Sequence, residues 1–202
     1  KLLLAEEENI DQDDKELGIN MLLISHYRLG MIKLIQGNFE NARLDFYDAM
    51  TTTPKDLPFD KIWIEPQFIK QRIGECYFKS QDYSNAIKIY RNLFNEKLME
   101  DHDQFINLAS EYSNLSMLAL SEFLSGQIDS AKVHFLQVEK KYDGINDAIQ
   151  NRSDYYYVHW PLYQFNSANG NTNKALRYIT DAYNQIPEKE RKEYLQDDKR
   201  LE

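Results

Sequence analysis

Apolar residues recur along this chain at intervals of three and four, not two. Four times they follow the same frame around an alanine. Ala42 is followed by Phe46 and Ala49, Ala86 by Tyr90 and Leu93, Ala131 by Phe135 and Val138, and Ala175 by Ile179 and Ala182. Positions i, i+4 and i+7 share one face of an α-helix, so each set predicts a helix that buries that face. The four alanines stand 44, 45 and 44 residues apart. A short polar turn precedes each: Gly37-Asn-Phe-Glu-Asn, Gln81-Asp-Tyr-Ser-Asn, Gly126-Gln-Ile-Asp-Ser and Gly170-Asn-Thr-Asn-Lys. Upstream of each turn lies a second periodic segment, carrying Leu29-Gly30, Ile73-Gly74, Leu118-Ala119 and Leu162-Tyr163 in turn. A small residue there lets one helix approach the next, and a glycine in the turn can take positive φ. Five of the seven glycines (Gly30, Gly37, Gly74, Gly126, Gly170) occupy these two positions. No segment alternates with period two for long enough to predict a sheet.

The pattern predicts paired helices over about 13–36 and 39–52, 61–80 and 83–98, 102–125 and 128–142, and 152–169 and 172–186. Thr51–Asp60, Leu98–Asp103 and Tyr142–Asn151 read as loops between the pairs. Pro54 and Pro187 each close a helix, Pro66 falls early in one, and Pro161 should kink its helix or delay its start. The chain opens at Lys1, and Leu2–Ala5 reads as the end of a helix whose earlier turns are missing, so a longer natural protein is expected. The organisation that follows is a lead-in over 1–19 and four repeats over 20–187 (about 23–60, 61–100, 101–150 and 151–187). Residues 188–202 follow as a charged helix or tail.

These residues resemble the tetratricopeptide repeat family. Its pattern runs through Leu-Gly, an aromatic, a turn Gly, an Ala, a second aromatic, an Ala and a Pro. The first repeat carries Leu29, Gly30, Gly37, Ala42, Phe46, Ala49 and Pro54, and the second Gly74, Tyr77, Tyr83, Ala86 and Tyr90, with Gln81 at the turn. The third keeps Gly126, Ala131 and Phe135 but has Ala119 for the first Gly. The fourth keeps Gly170, Ala175, Ala182 and Pro187, with Tyr163 for that Gly. The family's usual period is about 34 residues, so this spacing implies longer helices or loops. The resemblance implies an all-α fold, a right-handed superhelix (solenoid) of about four helix hairpins. Repeats lengthened in this way are frequent in bacterial signalling and regulatory proteins of the family.

Composition and charge narrow the function. Hydrophobic residues make up 42% of 202, enough for a sizeable core. The net charge of −9 disfavours nonspecific nucleic-acid binding, which needs a basic face. One cysteine, Cys76, excludes an intrachain disulfide framework, and no apolar run is long enough to span a membrane. Phosphate-binding, dinucleotide, zinc-protease and serine-hydrolase motifs are all absent, so no enzyme activity, cofactor or metal is expected. His26, His102, His134 and His159 stand far apart; His26 and His159 share a repeat position that holds a packing residue. Cys76 reads as an inert core thiol. Glu6-Glu7-Glu8 with Asp11, Asp13 and Asp14 reads as a solvated acidic surface without calcium-loop spacing. The tripeptides starting at Asn114 and Asn151 match a glycosylation pattern that is common by chance, and no function is assigned to them.

In such a superhelix the inner wall is lined by the first helix of each pair. The resemblance places Tyr27, Arg28 and Met31 on that wall in the first repeat and Phe68, Gln71 and Arg72 in the second. Ser116 follows in the third, and Tyr157, Trp160 and Gln164 in the fourth. Aromatic and Met side chains with Arg and Gln suit a protein or peptide ligand. The competing reading is that many of them pack between repeats. Arg28 and Arg72 suit a carboxylate, either on a ligand or on Glu75 within the wall. The Lys- and Asn-based clamp of the family's co-chaperones is absent: Tyr27, Met31, Ser113 and Met117 stand at its positions. The expected role is a cytoplasmic protein- or peptide-binding module, the regulatory or scaffold part of a larger bacterial signalling protein. The alternative is the sensor domain of a peptide-responsive transcriptional regulator. A groove almost without Asn, which such sensors use to grip the ligand backbone, speaks against it. The oligomeric state is left open.

Overall fold

A computed structural model describes residues 2–53, 62–96, 104–149 and 156–185. The predicted loop at Leu98–Asp103, the stops at Pro54 and Pro187, and the charged segment 188–202 lie outside the described residues. Among the described residues there are eight α-helices and no strand. They are α1 (Leu2–Ile35), α2 (Phe39–Thr52), α3 (Pro66–Lys79), α4 (Tyr83–Asn95), α5 (Gln104–Leu124), α6 (Ile128–Ile149), α7 (Tyr156–Ala168) and α8 (Thr172–Gln185). None of them is long and apolar enough to cross a membrane. The fold is all-α, as the 3.6-residue periodicity predicts.

The same turn closes all four helix pairs. At the end of α1, the Gly37 N–H donates to the Leu34 carbonyl (3.1 Å) and the Asn38 N–H reaches back to Lys33 (2.9 Å). This pair of bonds is a Schellman motif, and it requires a left-handed residue at its centre. Gly37, Gln81, Gly126 and Gly170 supply it with φ of 77°, 62°, 85° and 73°. The matching bonds recur as Asp82 to Tyr77, Gln127 to Glu122 and Asn171 to Asn166. After each turn, the alanine N–H donates to the carbonyl that opens the next helix: Ala42 to Asn38, Ala86 to Asp82, Ala131 to Gln127 and Ala175 to Asn171. Asp82 also caps α4, its Oδ1 accepting the Asn85 N–H at 3.2 Å.

Gln81 is the only described non-glycine residue at positive φ. An L-residue with a Cβ is strained there by about 1–2 kcal/mol. Gln81→Gly should therefore stabilise the protein by about 0.5–1 kcal/mol after the added freedom of the unfolded chain is subtracted. A melting temperature that stays level or falls would contradict this.

Helix limits depart from the sequence prediction in three places. α1 is continuous from Leu2, where the sequence suggested a helix end at Leu2–Ala5 and a start near 13; nothing between those residues breaks a helix. α3 starts at Pro66, not near 61. Its ring forces Glu65 into extended conformation (φ −64°, ψ 138°), and proline suits the first helical position. α6 runs to Ile149 through the expected loop at Tyr142–Asn151, since a lone glycine weakens a helix without ending it. α7 opens at Tyr156, five residues ahead of Pro161, which lies inside it.

The chain divides into two compact units, Lys1–Ile89 and Tyr90–Glu202. In the first, α2 packs on both α1 and α3. Its core joins Leu23, Leu34, Ala42, Phe46, Ala49, Ile69, Ile73 and Cys76. The small residue at Gly30 has the expected consequence: a Cβ there would stand 2.7–2.9 Å from the Phe46 ring. In the second unit α5 packs on α6 and α7, and α7 on α8. Ten consecutive residues of α5, Ser113–Glu122, are buried. Phe135 stacks on Phe165 at 4.3 Å, and Phe123 meets Phe165 edge-on at 5.9 Å. The frame predicts burial of Ile179 and Ala182 in α8, but the buried positions are Ala175 and Tyr178. Tyr178 turns its ring onto Tyr142 at 4.7 Å, which draws the buried face one residue back.

Candidate functional site

The residues assigned to an inner wall fall into different environments. In the first unit Tyr27 and Met31 pack against the core, the Tyr27 ring 5.6 Å from that of Phe46. Arg28, one residue on, is exposed. Arg72 is engaged within its own helix, its Nη1 2.7 Å from Oε2 of Glu75. Glu75 is 7% exposed, and Lys79 Nζ approaches its other oxygen at 3.7 Å. Of the two partners the sequence left open for Arg72, the structure shows Glu75. Phe68 and Gln71 stay half-buried on α3.

In the second unit Ser116 is fully enclosed. It therefore offers no contact surface, and its Oγ finds no hydrogen-bond partner among the described residues. The expectation fails because α5 is covered around its circumference between Ser113 and Glu122, not along one stripe. Trp160 is half-buried against Tyr163, ring centroids 5.4 Å apart, and Gln164 is half-buried beside it in sequence. The Tyr157 side chain lies outside the described part.

Other residues behave as packing elements. Cys76 is buried, and burial first, then the charge of Glu75, pushes its thiol up to about 12. A thiol so far from ionising at neutral pH is a poor nucleophile. His159 is buried with its ring edge-on to Tyr142 at 5.5 Å, while His26 is half-buried. Asn114 is 3% exposed, so its side chain is out of reach of glycosylation.

Three polar clusters of the second unit were not foreseen. Glu122, fully buried, accepts from His134 Nδ1 at 2.6 Å on one oxygen and from Arg91 Nη2 at 3.0 Å on the other. The Tyr142 hydroxyl donates to Asp181 Oδ2 at 2.7 Å, with the Arg177 guanidinium 4.9 Å from the Tyr142 ring centre. Burial, then that bond to Asp181, drives the Tyr142 hydroxyl far above the usual phenol range. Glu139 accepts from Asn166 (2.9 Å), Lys174 (2.8 Å) and Tyr178 (3.1 Å). Burial pushes its carboxyl up, but the Lys174 and Asn166 bonds, the charge of Lys174 and the Tyr178 bond together outweigh it. The result is a pKa below the ordinary carboxylate value. A depressed folded pKa gives stability that is present above the unfolded value and lost as pH falls through the folded one. Acidification from neutrality to below pH ~4 should therefore lower the melting temperature more for the native chain than for Glu139→Gln; equal losses would contradict the assignment.

One pocket in the second unit, about 260 Å³ in volume, combines apolar walls with charge. Its described lining is Phe94 from α4, Glu111, Tyr112 and Leu115 from α5, and Gln137, Lys140 and Lys141 from α6. Burial first, then the negative charge of Glu111, raises the Tyr112 pKa. Lys140 and Lys141 are exposed cations at its rim. The arrangement can receive an apolar side chain below and an anionic group at the edge. The one sequence signal was the Lys140-Lys141 dyad in an acidic chain, two residues past the buried Val138. Among the described residues no group of three or more His, Cys, Asp or Glu is arranged to hold a metal ion.

A sequence model of the tetratricopeptide repeat family matches residues 71–96. The match begins in α3, crosses the turn at Gln81 and ends just past α4, so that stretch is similar to a tetratricopeptide repeat. No curated protein and no solved structure matches the chain.

Proposed function

We propose that this chain, which matches the tetratricopeptide repeat family at 71–96, is a protein- or peptide-binding module. That match is the observation that carries the reading, because repeats of this family typically serve as non-catalytic interaction surfaces. In our reading the module is the regulatory or scaffold part of a larger bacterial signalling protein, placed in the cytoplasm. It binds its partner by side-chain contacts, without cofactor, metal or nucleic acid. Of the expected wall residues, Phe68 and Gln71 in the first unit, and separately Trp160 and Gln164 in the second, are proposed contact residues.

The pocket of the second unit is the proposed anchor. In a chain of net charge −9, two adjacent exposed lysines beside an aromatic pocket favour a ligand with an acidic group next to an apolar side chain. Peptides of that kind, immobilised in an array among neutral and basic ones, should retain the chain selectively. Lys140→Glu with Lys141→Glu should weaken their retention about tenfold or more and leave the melting temperature within a degree or so, since both side chains are exposed. Retention unchanged by the double substitution would remove the pocket from the reading. An array without selectivity for any peptide class would remove the reading itself.

A further inference from the structure

α1 is apolar on two opposite faces. One buries Leu23, Gly30 and Leu34 in the first unit's core. The other leaves Leu17, Met21, Leu22, Leu29, Ile32 and Ile35 exposed at 50%, 53%, 51%, 48%, 52% and 81%. At 100° per residue these six fall within an arc of about 140°. Gly18 and Ser25 lie near its centre, and a Cβ on Gly18 would meet nothing within 4 Å. Six half-exposed side chains of this size present roughly 600 Å² of apolar surface, the upper end of what a monomer carries. It also approaches the roughly 800 Å² per partner of a standard protein interface.

We propose that the exposed face of α1 is a homodimer interface, with two α1 helices packed antiparallel about a two-fold axis at Met21. Charge selects both the occupant and the direction. Asp14 and Arg28 are exposed, lie on this face seven residues either side of Met21, and make no ion pair with another described residue. In an antiparallel pair centred on Met21, Asp14 of each copy faces Arg28 of the other, so two ion pairs form from one self-complementary patch. A parallel pair would set like charges against each other. The same register brings Leu17 of each copy over Ser25 of the other, large against small, which lets the helices approach closely. This surface shares no residue with the peptide pocket, and Arg28 then serves the dimer, not a ligand.

Sedimentation velocity and light scattering over a hundredfold range of concentration test the proposal. The native chain should be a dimer at micromolar concentration, and Met21→Glu a monomer with unchanged helical signal. Asp14→Arg alone and Arg28→Asp alone should each raise the dimer dissociation constant by about tenfold. The combined Asp14→Arg, Arg28→Asp chain should recover most of that loss, because the swap restores opposite charges at both ends. A native chain that is monomeric throughout overturns the proposal, whether the face then receives another protein's amphipathic helix or nothing. A charge swap that dimerises no better than the single variants also overturns it.

Discussion

Removing both hydrogen-bond partners of Glu122, by Arg91→Leu together with His134→Leu, is expected to destabilise the fold by about 3–5 kcal/mol. Glu122 has no exposed surface, and its two oxygens are held by His134 Nδ1 at 2.6 Å and Arg91 Nη2 at 3.0 Å. A buried carboxylate left alone loses its hydration without compensation, which is why breaking such a pair costs more than forming it gains. The two partners should not contribute equally. The Arg91 side chain is 50% exposed and the His134 side chain 22%, so the Arg91 contact is the more screened by water. Arg91→Leu alone should therefore cost roughly 1 kcal/mol. Replacing all three residues by apolar ones of similar volume should come within about 1 kcal/mol of the native chain, because it removes the stranded charge itself. Denaturant midpoints at unchanged m-value give the comparison. If the double variant lost less than about 1 kcal/mol, water would have to reach Glu122, and the cluster would not be the closed one described.

How much of this was legible beforehand differs from one element to the next. The four turns were, because a left-handed residue between two helices is a local requirement and local chemistry is written in local sequence. Gly37, Gly126 and Gly170 announce it, and Gln81 is recognised by the alanine five residues on. Burial of Ala42, Ala86 and Ala131 was legible for the same reason. Ser116 was misassigned because periodicity reports that one face is buried without telling whether neighbours cover the others. Between Ser113 and Glu122 α5 is covered all round, a property of the helices packed against it. The pairing of Arg72 with Glu75 was visible as one of two options, since three residues along a helix bring side chains together. The pocket was not visible, since Phe94, Tyr112 and Lys140 come from three helices and no spacing links them. The outer face of α1 escaped for the opposite reason. Apolar residues on both sides of a helix blur its periodicity, so no single stripe sets Leu17, Met21 and Leu22 apart.

Phe46→Ala should lower the stability of the first unit by about 3–5 kcal/mol, the range for deleting a fully buried aromatic ring from a packed core. Phe46 has no exposed surface, touches the Tyr27 ring and fills the space that Gly30 leaves open. The more informative experiment pairs it with Gly30→Ala. In the native background, a Cβ at Gly30 would meet three Phe46 ring atoms at 2.7–2.9 Å, closer than carbon atoms tolerate. Phe46 is enclosed on all sides, so the ring can yield only by shifting the core. Overpacking of this kind costs about 1–3 kcal/mol, and alanine's better helix propensity returns at most about 1 kcal/mol. Gly30→Ala alone should therefore be neutral to clearly destabilising. Once Phe46 is alanine the obstruction is gone and only the propensity gain is left, so the same substitution should stabilise by up to about 1 kcal/mol. The two changes should then be coupled by more than about 1 kcal/mol, well beyond the additivity expected of independent sites. Additive losses would show that the ring does not limit what position 30 can hold. The glycine would then owe its place to something other than the close approach of α1 and α2.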